Sequence, residues 1–252
     1  MEFVKCRKCS VPIEAKIKWL PECWFLDTSN GCVIVKECDR HREWAAREFN
    51  RHRYEQRGFP TYAFYLNMPL DYVGDKTRKN AERLVSYAEK FTTNPEVAGC
   101  IIYLHGSRGT QKTTLASWVA GRLISKNVDV RYILMNDLVR ALMDEDFDDA
   151  VGSRVADLRG CDLIIVDEAF DADKTRLWDS GKQHAAIETF FKSRRAQSLG
   201  TMFISNCGPA DIEKQGFTES IADFVRRELA QYDSALQFSD KYEVSMVPRQ
   251  LF

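Results

Sequence analysis

The sequence predicts an α/β domain in which a parallel sheet carries helices on both faces. Three features predict it. An apolar strand over residues 101–105 runs straight into a loop containing Gly106 and Gly109. A second apolar run, residues 163–166, ends in the acid pair Asp167 and Glu168, and strand-like and helix-like stretches alternate between and after the two. Ligands of such a sheet sit at the carboxyl ends of its strands, which is where both the loop and the acids fall.

The elements follow in chain order. Residues 80–91 have the apolar spacing of a helix, and 100–105 read as a buried strand. Residues 112–126 form the helix after the loop, 129–135 a strand, and 136–144 a helix with Asn136 as its cap. Beyond the run at 162–167 come a helix around 183–197, a strand at 201–205 that ends in Asn206, and a helix carrying Arg226 and Arg227. Cys100, Cys161 and Cys207 border or continue these apolar runs and read as small buried hydrophobes.

Composition fixes the class. With 252 residues and 44% apolar content the chain is an ordinary globular protein, which excludes collagen-like and disordered classes. No apolar run approaches the length of a membrane span, and the start Met-Glu-Phe-Val-Lys-Cys lacks a secretory pattern, so the expected location is the cytoplasm. A net charge of −1 means that contact with nucleic acid needs a local basic patch.

The N-terminal end is chemically different. Five of the eight cysteines, Cys6, Cys9, Cys23, Cys32 and Cys38, lie within the first 38 residues. In a reducing compartment such a group points to metal ahead of disulfides. Cys6-x2-Cys9 and Cys38-x2-His41 supply two pairs at the spacing a tetrahedral Zn²⁺ accepts, with Cys32 the first replacement for His41 and Cys23 a further alternate. A knob of about 40 residues has too little core to be stable alone, so zinc would supply its folding energy. In the charged segment 39–57, Ala45, Phe49 and His52 fall at helical spacing, and Gly58 and Pro60 end the helix. Residues 1–57 hold 12 Lys/Arg against 9 Asp/Glu, a mildly basic balance that suits a solvated helix face or contact with an acidic partner. The expected division is therefore 1–57, zinc-binding domain and linker helix, and 58–252, the α/β domain.

Against the phosphate-loop pattern G-x-x-x-x-G-K-[ST], the chain offers Gly106, Ser107, Arg108, Gly109, Thr110, Gln111, Lys112, Thr113 and then Thr114. Such a loop ends at a helix N-terminus, where free N–H groups and the helix dipole attract an anion. Lys112 would reach the β- and γ-phosphates of ATP, and Thr113 would hold Mg²⁺. Gln111 replaces the second glycine, whose freedom to take positive φ lets the backbone approach the phosphates. Hydrolysis is more exposed to this change than binding.

Asp167 delivers a carboxylate to the Mg²⁺ shell, and Glu168 one that orients or deprotonates the attacking water. Asn206, at the same end of the sheet, reads either as a turn former or as the amide that holds that water. Arg226 and Arg227 read either as a surface salt-bridged pair or as the source of an arginine finger reaching a neighbouring subunit's nucleotide.

In this order the parts resemble the AAA+ superfamily, and within it the replicative helicase loaders of bacteria and phages (DnaC-type) and their transposition-helper relatives. The resemblance rests on Arg57-Gly-Phe-Pro60, the loop from Gly106 to Ala116, the run from Asp162 to Glu168, Thr201 to Asn206, and the arginine pair followed by Ala235-Leu-Gln-Phe238. It implies oligomers with ATP at subunit interfaces, single-stranded DNA in a central channel and a docked hexameric helicase. Some loaders grip the helicase through an N-terminal zinc domain, which the cysteine group resembles. Counting back from Phe238, the resemblance favours Arg227 over Arg226 as the finger, and matches Arg194, or its neighbour Arg195, to an arginine ahead of the strand ending in Asn206, while the default reading of Arg194 is a surface salt bridge. The chain stops too soon after Phe238 for the helical lid usual in the loaders. The implied function is ATP-dependent loading of a replicative helicase onto single-stranded DNA, with a transposition-helper ATPase or a non-hydrolysing nucleotide-binding partner protein as alternatives.

Overall fold

The computed structural model describes residues 54–60, 75–173 and 181–238, together with the backbone of four short strands near the N-terminus. Contacts divide the chain into Met1–Gln56 and Arg57–Phe252. In the first unit, β1 (Phe3–Lys5) pairs antiparallel with β2 (Pro12–Glu14), and β3 (Lys18–Leu20) with β4 (Trp24–Leu26). The expected zinc ligands Cys6, Cys9, Cys38 and His41, and the alternates Cys23 and Cys32, lie outside the described residues.

The second unit holds a parallel sheet of β5 (Ile101–Gly106), β6 (Val130–Leu134), β7 (Leu163–Asp167), β8 (Gly200–Ser205) and β9 (Ala235–Phe238). Their order across the sheet is β6-β7-β8-β5-β9. Every residue of β7 and of β8 is buried, as expected of central strands covered on both faces. The helices are α1 (Asp75–Lys90), α2 (Pro95–Ala98), α3 (Lys112–Ile124), α4 (Met135–Asp144), α5 (Asp149–Gly160), α6 (Gly181–Ala196) and α7 (Glu219–Tyr232). Side chains alternate along each strand, so the two faces draw on different residues. Tyr103, Ile133, Val166 and Phe203 pack into one core with Leu138, Leu158, Phe190 and Val225 from α4, α5, α6 and α7. Ile102, Leu104, Ile165 and Ile204 are also buried, and α1 and α3 contribute Leu84, Leu115, Val119 and Leu123 to the interior. No described helix is long and apolar enough to cross a membrane.

Four expectations change. The helix after β6 starts at Met135, with extended Leu134 (φ −77°, ψ 143°) as its N-cap and no side-chain cap, so Asn136 lies inside the first turn. The strand leads directly into the helix, which leaves no extended polar residue to do the capping. Helix α5 was not foreseen; its apolar spacing is weak, and its entry is fixed by Asp148, whose carboxylate accepts from the Ala150 (2.8 Å) and Val151 (3.3 Å) N–H groups. Cys100 and Cys161 are buried, but Cys207 is only half-buried, with its thiol donating to the Phe170 carbonyl at 3.2 Å.

Arg194 is the fourth. It is not a surface ion pair but a fully buried side chain at 0% exposure. Its Nη1 donates to the carbonyls of Leu158 (2.8 Å), Arg159 (3.0 Å) and Cys161 (3.0 Å), and Nη2 to that of Gly200 (2.6 Å). These acceptors precede β7 or open β8, so Arg194 ties the amino ends of two central strands to helix α6. Burial lowers its pKa, and the neighbouring Cys161 opposes that shift. Arg195 forms the ion pair instead, with Glu228 at 2.5 Å.

Arg194→Met keeps most of the stem but leaves these buried carbonyls unpaired. Urea unfolding should show a loss of about 3 kcal/mol or more. A loss below about 1 kcal/mol, the worth of one ordinary hydrogen bond, would contradict the role given to Arg194.

Candidate nucleotide site

Register builds the site. His105 lies opposite Ser205, Leu134 opposite Asp167 and Gly106 opposite Phe238, so the segments leaving β5, β7 and β8 emerge together at one edge. Gly106 (φ 137°) passes so close to β9 that a Cβ would sit 1.9 Å from the Phe238 carbonyl oxygen. Further along the loop, Gln111 takes φ 65° and ψ 17°, the left-handed conformation a glycine would adopt at no cost. The glutamine therefore keeps the expected path of the loop at a strain of about 1–2 kcal/mol. From there α3 begins, and Gln111 gives its first turn no side-chain cap.

Lys112 is held inside this loop at 6% exposure. Its Nζ donates to the Gly106 (2.9 Å) and Ser107 (2.8 Å) carbonyls and lies 3.3 Å from Thr110 Oγ1 and 3.4 Å from Asn206 Oδ1. Burial lowers its pKa, and the charge of Asp167 pulls the other way. Thr110 Oγ1 itself donates to the Ser107 carbonyl at 2.9 Å, which braces the loop from within.

Asp167 is the hub of the acidic side. Oδ2 accepts from Thr113 Oγ1 and from the Tyr132 hydroxyl, both at 2.8 Å, while Oδ1 accepts from the Glu168 N–H at 2.7 Å. The chain then turns sharply through two left-handed residues, Glu168 (φ 52°) and Phe170 (φ 54°), and Ala169 N–H donates to the Ile204 carbonyl at 2.8 Å. Asn206 bridges the halves: its Nδ2 donates to Asp171 Oδ2 at 3.0 Å and its Oδ1 faces Lys112. Residues 108–114, Tyr132, Asp167, Glu168 and Asn206 line one cleft of about 370 Å³, within the size range of small-molecule sites.

The arginine pair lies elsewhere, and neither member lines this cleft. Arg226 is engaged by Glu213 and by Asp223, the latter at 3.0 Å. Arg227 is exposed, with a 3.4 Å bond from Nε to the Asp223 carbonyl of its own helix. Two site residues had escaped the sequence reading. Tyr132 stands in an apolar strand with no motif around it, and Asp171 lies beyond the acid pair in a turn whose path is set by two unusual backbone conformations.

The donors fit a nucleotide with Mg²⁺. Among the described residues no group of three or more His, Cys, Asp or Glu could hold a metal. Mg²⁺ asks for less: one or two protein oxygens, with water and phosphate completing its shell, and Thr113 Oγ1 and Asp167 supply two in contact.

No family profile and no curated protein matches the sequence. Solved structures do match the fold. The crystal structure of the DnaI is similar at a TM-score of 0.55 and 18% identity, over 73% of this chain and 93% of that one. That of the DnaC helicase loader is similar at 0.51 and 17%, over 66% and 91%. The replication initiator DnaA bound to AMPPCP and single-stranded DNA is similar at 0.54 and 15%, over 66% of this chain, which spans about half (47%) of the initiator's length. The five-stranded parallel sheet and its flanking helices thus form an α/β fold similar to the folds of these solved structures.

Gln111→Gly removes a left-handed side chain. It should raise unfolding stability by about 1 kcal/mol, measured by urea titration. A destabilised variant would show that the glutamine side chain, and not its backbone, is what the loop needs.

Proposed function

We propose that this chain is an ATP-dependent loader of a replicative DNA helicase onto single-stranded DNA. The observation that carries the ATP part is the meeting of Lys112, Thr113, Asp167 and Asn206 at one edge of the sheet. The loader part is supported by the motif resemblance and by the fold likeness to the DnaC helicase loader, whose length this chain spans almost entirely.

In this reading the N–H groups of residues 109–114 cradle the phosphates, and Lys112 exchanges its loop carbonyls for phosphate oxygens. Thr113 and Asp167 would hold magnesium, which when bound would supply positive charge at the phosphates. Glu168 accepts the proton of the attacking water, and Asn206, steadied by Asp171, orients that water through its amide. Arg227 of a second copy serves as the finger, because Arg226 is already committed to Glu213 and Asp223. The left-handed Gln111 fits slow turnover, with the nucleotide acting largely as a switch between bound states.

The N-terminal unit is assigned to the helicase. Cys6 and Cys9 fall between β1 and β2, whose ends Lys5 and Pro12 are paired, and Cys38 and His41 complete a zinc site that folds the knob. The core then assembles on single-stranded DNA.

Lys112→Ala should abolish binding of a fluorescent ATP analogue, and Glu168→Gln should bind it while losing phosphate release; in pull-downs the Glu168→Gln protein should retain a hexameric helicase when ATP is present. Capture of a transposase in its place would move the protein to the transposition-helper class. Metal analysis should find about one zinc per chain, and none after Cys6→Ser with Cys9→Ser. Full zinc in that double variant would rule out the cysteine pair as ligands.

A further inference from the structure

β6 is the outer strand of the sheet, and an outer strand presents unpaired N–H and C=O groups along its free side. Residues 57–60 cover part of that side. The Tyr132 N–H donates to the Arg57 carbonyl at 2.8 Å. Gly58 (φ 85°) lies so flat on the strand that a Cβ there would sit 2.2 Å from the Tyr132 carbonyl oxygen. The buried Phe59 ring packs on the Tyr132 ring, centroids 5.0 Å apart and planes tilted by 33°. The hydroxyl at the other end of that ring donates to Asp167 Oδ2 at 2.8 Å.

Two donors on different oxygens fix the plane of a carboxylate, where one donor leaves it free to swing. For Asp167 these are the Glu168 N–H on Oδ1 and the Tyr132 hydroxyl on Oδ2. Thr113 also reaches Oδ2, but its hydroxyl is assigned to metal binding in this reading.

We infer that Tyr132 is a positioning residue for Asp167, and that residues 57–60 form a strap that holds Tyr132 in place. The inference rests on the magnesium–nucleotide reading of the cleft. The strap follows directly on the unit Met1–Gln56, so the chain leaving that unit is tied to the metal-binding carboxylate through one side chain. Displacing Gly58 or Phe59 shifts the ring, and the ring carries the hydroxyl away from Oδ2. The sequence shows Gly58 and Pro60 as the end of a helix and as part of the resemblance, with no sign of their contact with Tyr132.

The test titrates Mg²⁺ against binding of a fluorescent ATP analogue, with thermal unfolding of each nucleotide-free protein alongside. Tyr132→Phe keeps the ring on Phe59 and removes only the hydroxyl. It should raise the half-saturating Mg²⁺ concentration roughly fivefold to tenfold, while binding in the presence of EDTA stays at the wild-type level. Phe59→Leu keeps apolar volume but loses the ring packing. It should shift the Mg²⁺ requirement in the same direction, and add nothing in the Tyr132→Phe background. A Tyr132→Phe protein with a lower melting temperature but the wild-type Mg²⁺ requirement would overturn the positioning role. Equal Phe59→Leu shifts in both backgrounds would overturn the strap. Wild-type protein with no Mg²⁺-dependent nucleotide binding would overturn the reading of the cleft and this inference with it.

Discussion

In a parallel sheet, residues paired across neighbouring strands leave those strands together, and the chemistry of this core follows from that one constraint. With His105 opposite Ser205 and Leu134 opposite Asp167, the phosphate loop, the acid pair and Asn206 emerge side by side. Because side chains alternate faces along a strand, a slip of one residue in β7 would turn Asp167 away and bring an apolar residue to the cleft. Arg194 guards against such a slip from the opposite end, since its guanidinium binds carbonyls that precede β7 and open β8. The cleft edge is thus held in register by a side chain at the opposite end of the strands.

Three of the six non-glycine residues at positive φ among the described residues lie where the cleft forms. Gln111, Glu168 and Phe170 all take left-handed backbone conformations without being glycine, and all lie in the loops that leave β5 and β7. Each costs on the order of 1–2 kcal/mol. They persist because the surroundings over-determine them: Phe170 is buried between the rings of Phe203 and Phe217, and Ala169 is bonded to β8. At Gln111 the same path for the loop amides is obtained as with glycine, which separates two effects the motif normally combines. The backbone keeps the glycine-like path, while a glutamine lines the cleft.

Much of this was legible in the sequence, for physical reasons that differ by element. The strands at 101–106, 163–167 and 200–205 are buried over residues 101–104, 163–167 and 200–205, and each therefore carries an apolar run, at 101–104, 163–166 and 202–204. The loop and the acid pair were expected together from residue type and spacing, and in the structure they meet through Thr113 and Asp167. Helix α5 was not, since its weak amphipathicity leaves only the Asp148 cap as a signal. Asn136 misled because a cap residue must itself be extended, and here Leu134 is the extended residue before the helix. Arg194 and Tyr132 were misread or missed for a shared reason. Their roles depend on long-range partners, carbonyls of another helix end and a carboxylate on another strand, which local spacing does not encode.

If Lys112, Thr113, Asp167 and Asn206 form a magnesium-dependent nucleotide site, calorimetric titration of the wild-type chain with a non-hydrolysable ATP analogue should saturate at one nucleotide per chain, with affinity that tightens when Mg²⁺ is present. Absence of binding, or binding indifferent to Mg²⁺, would contradict it.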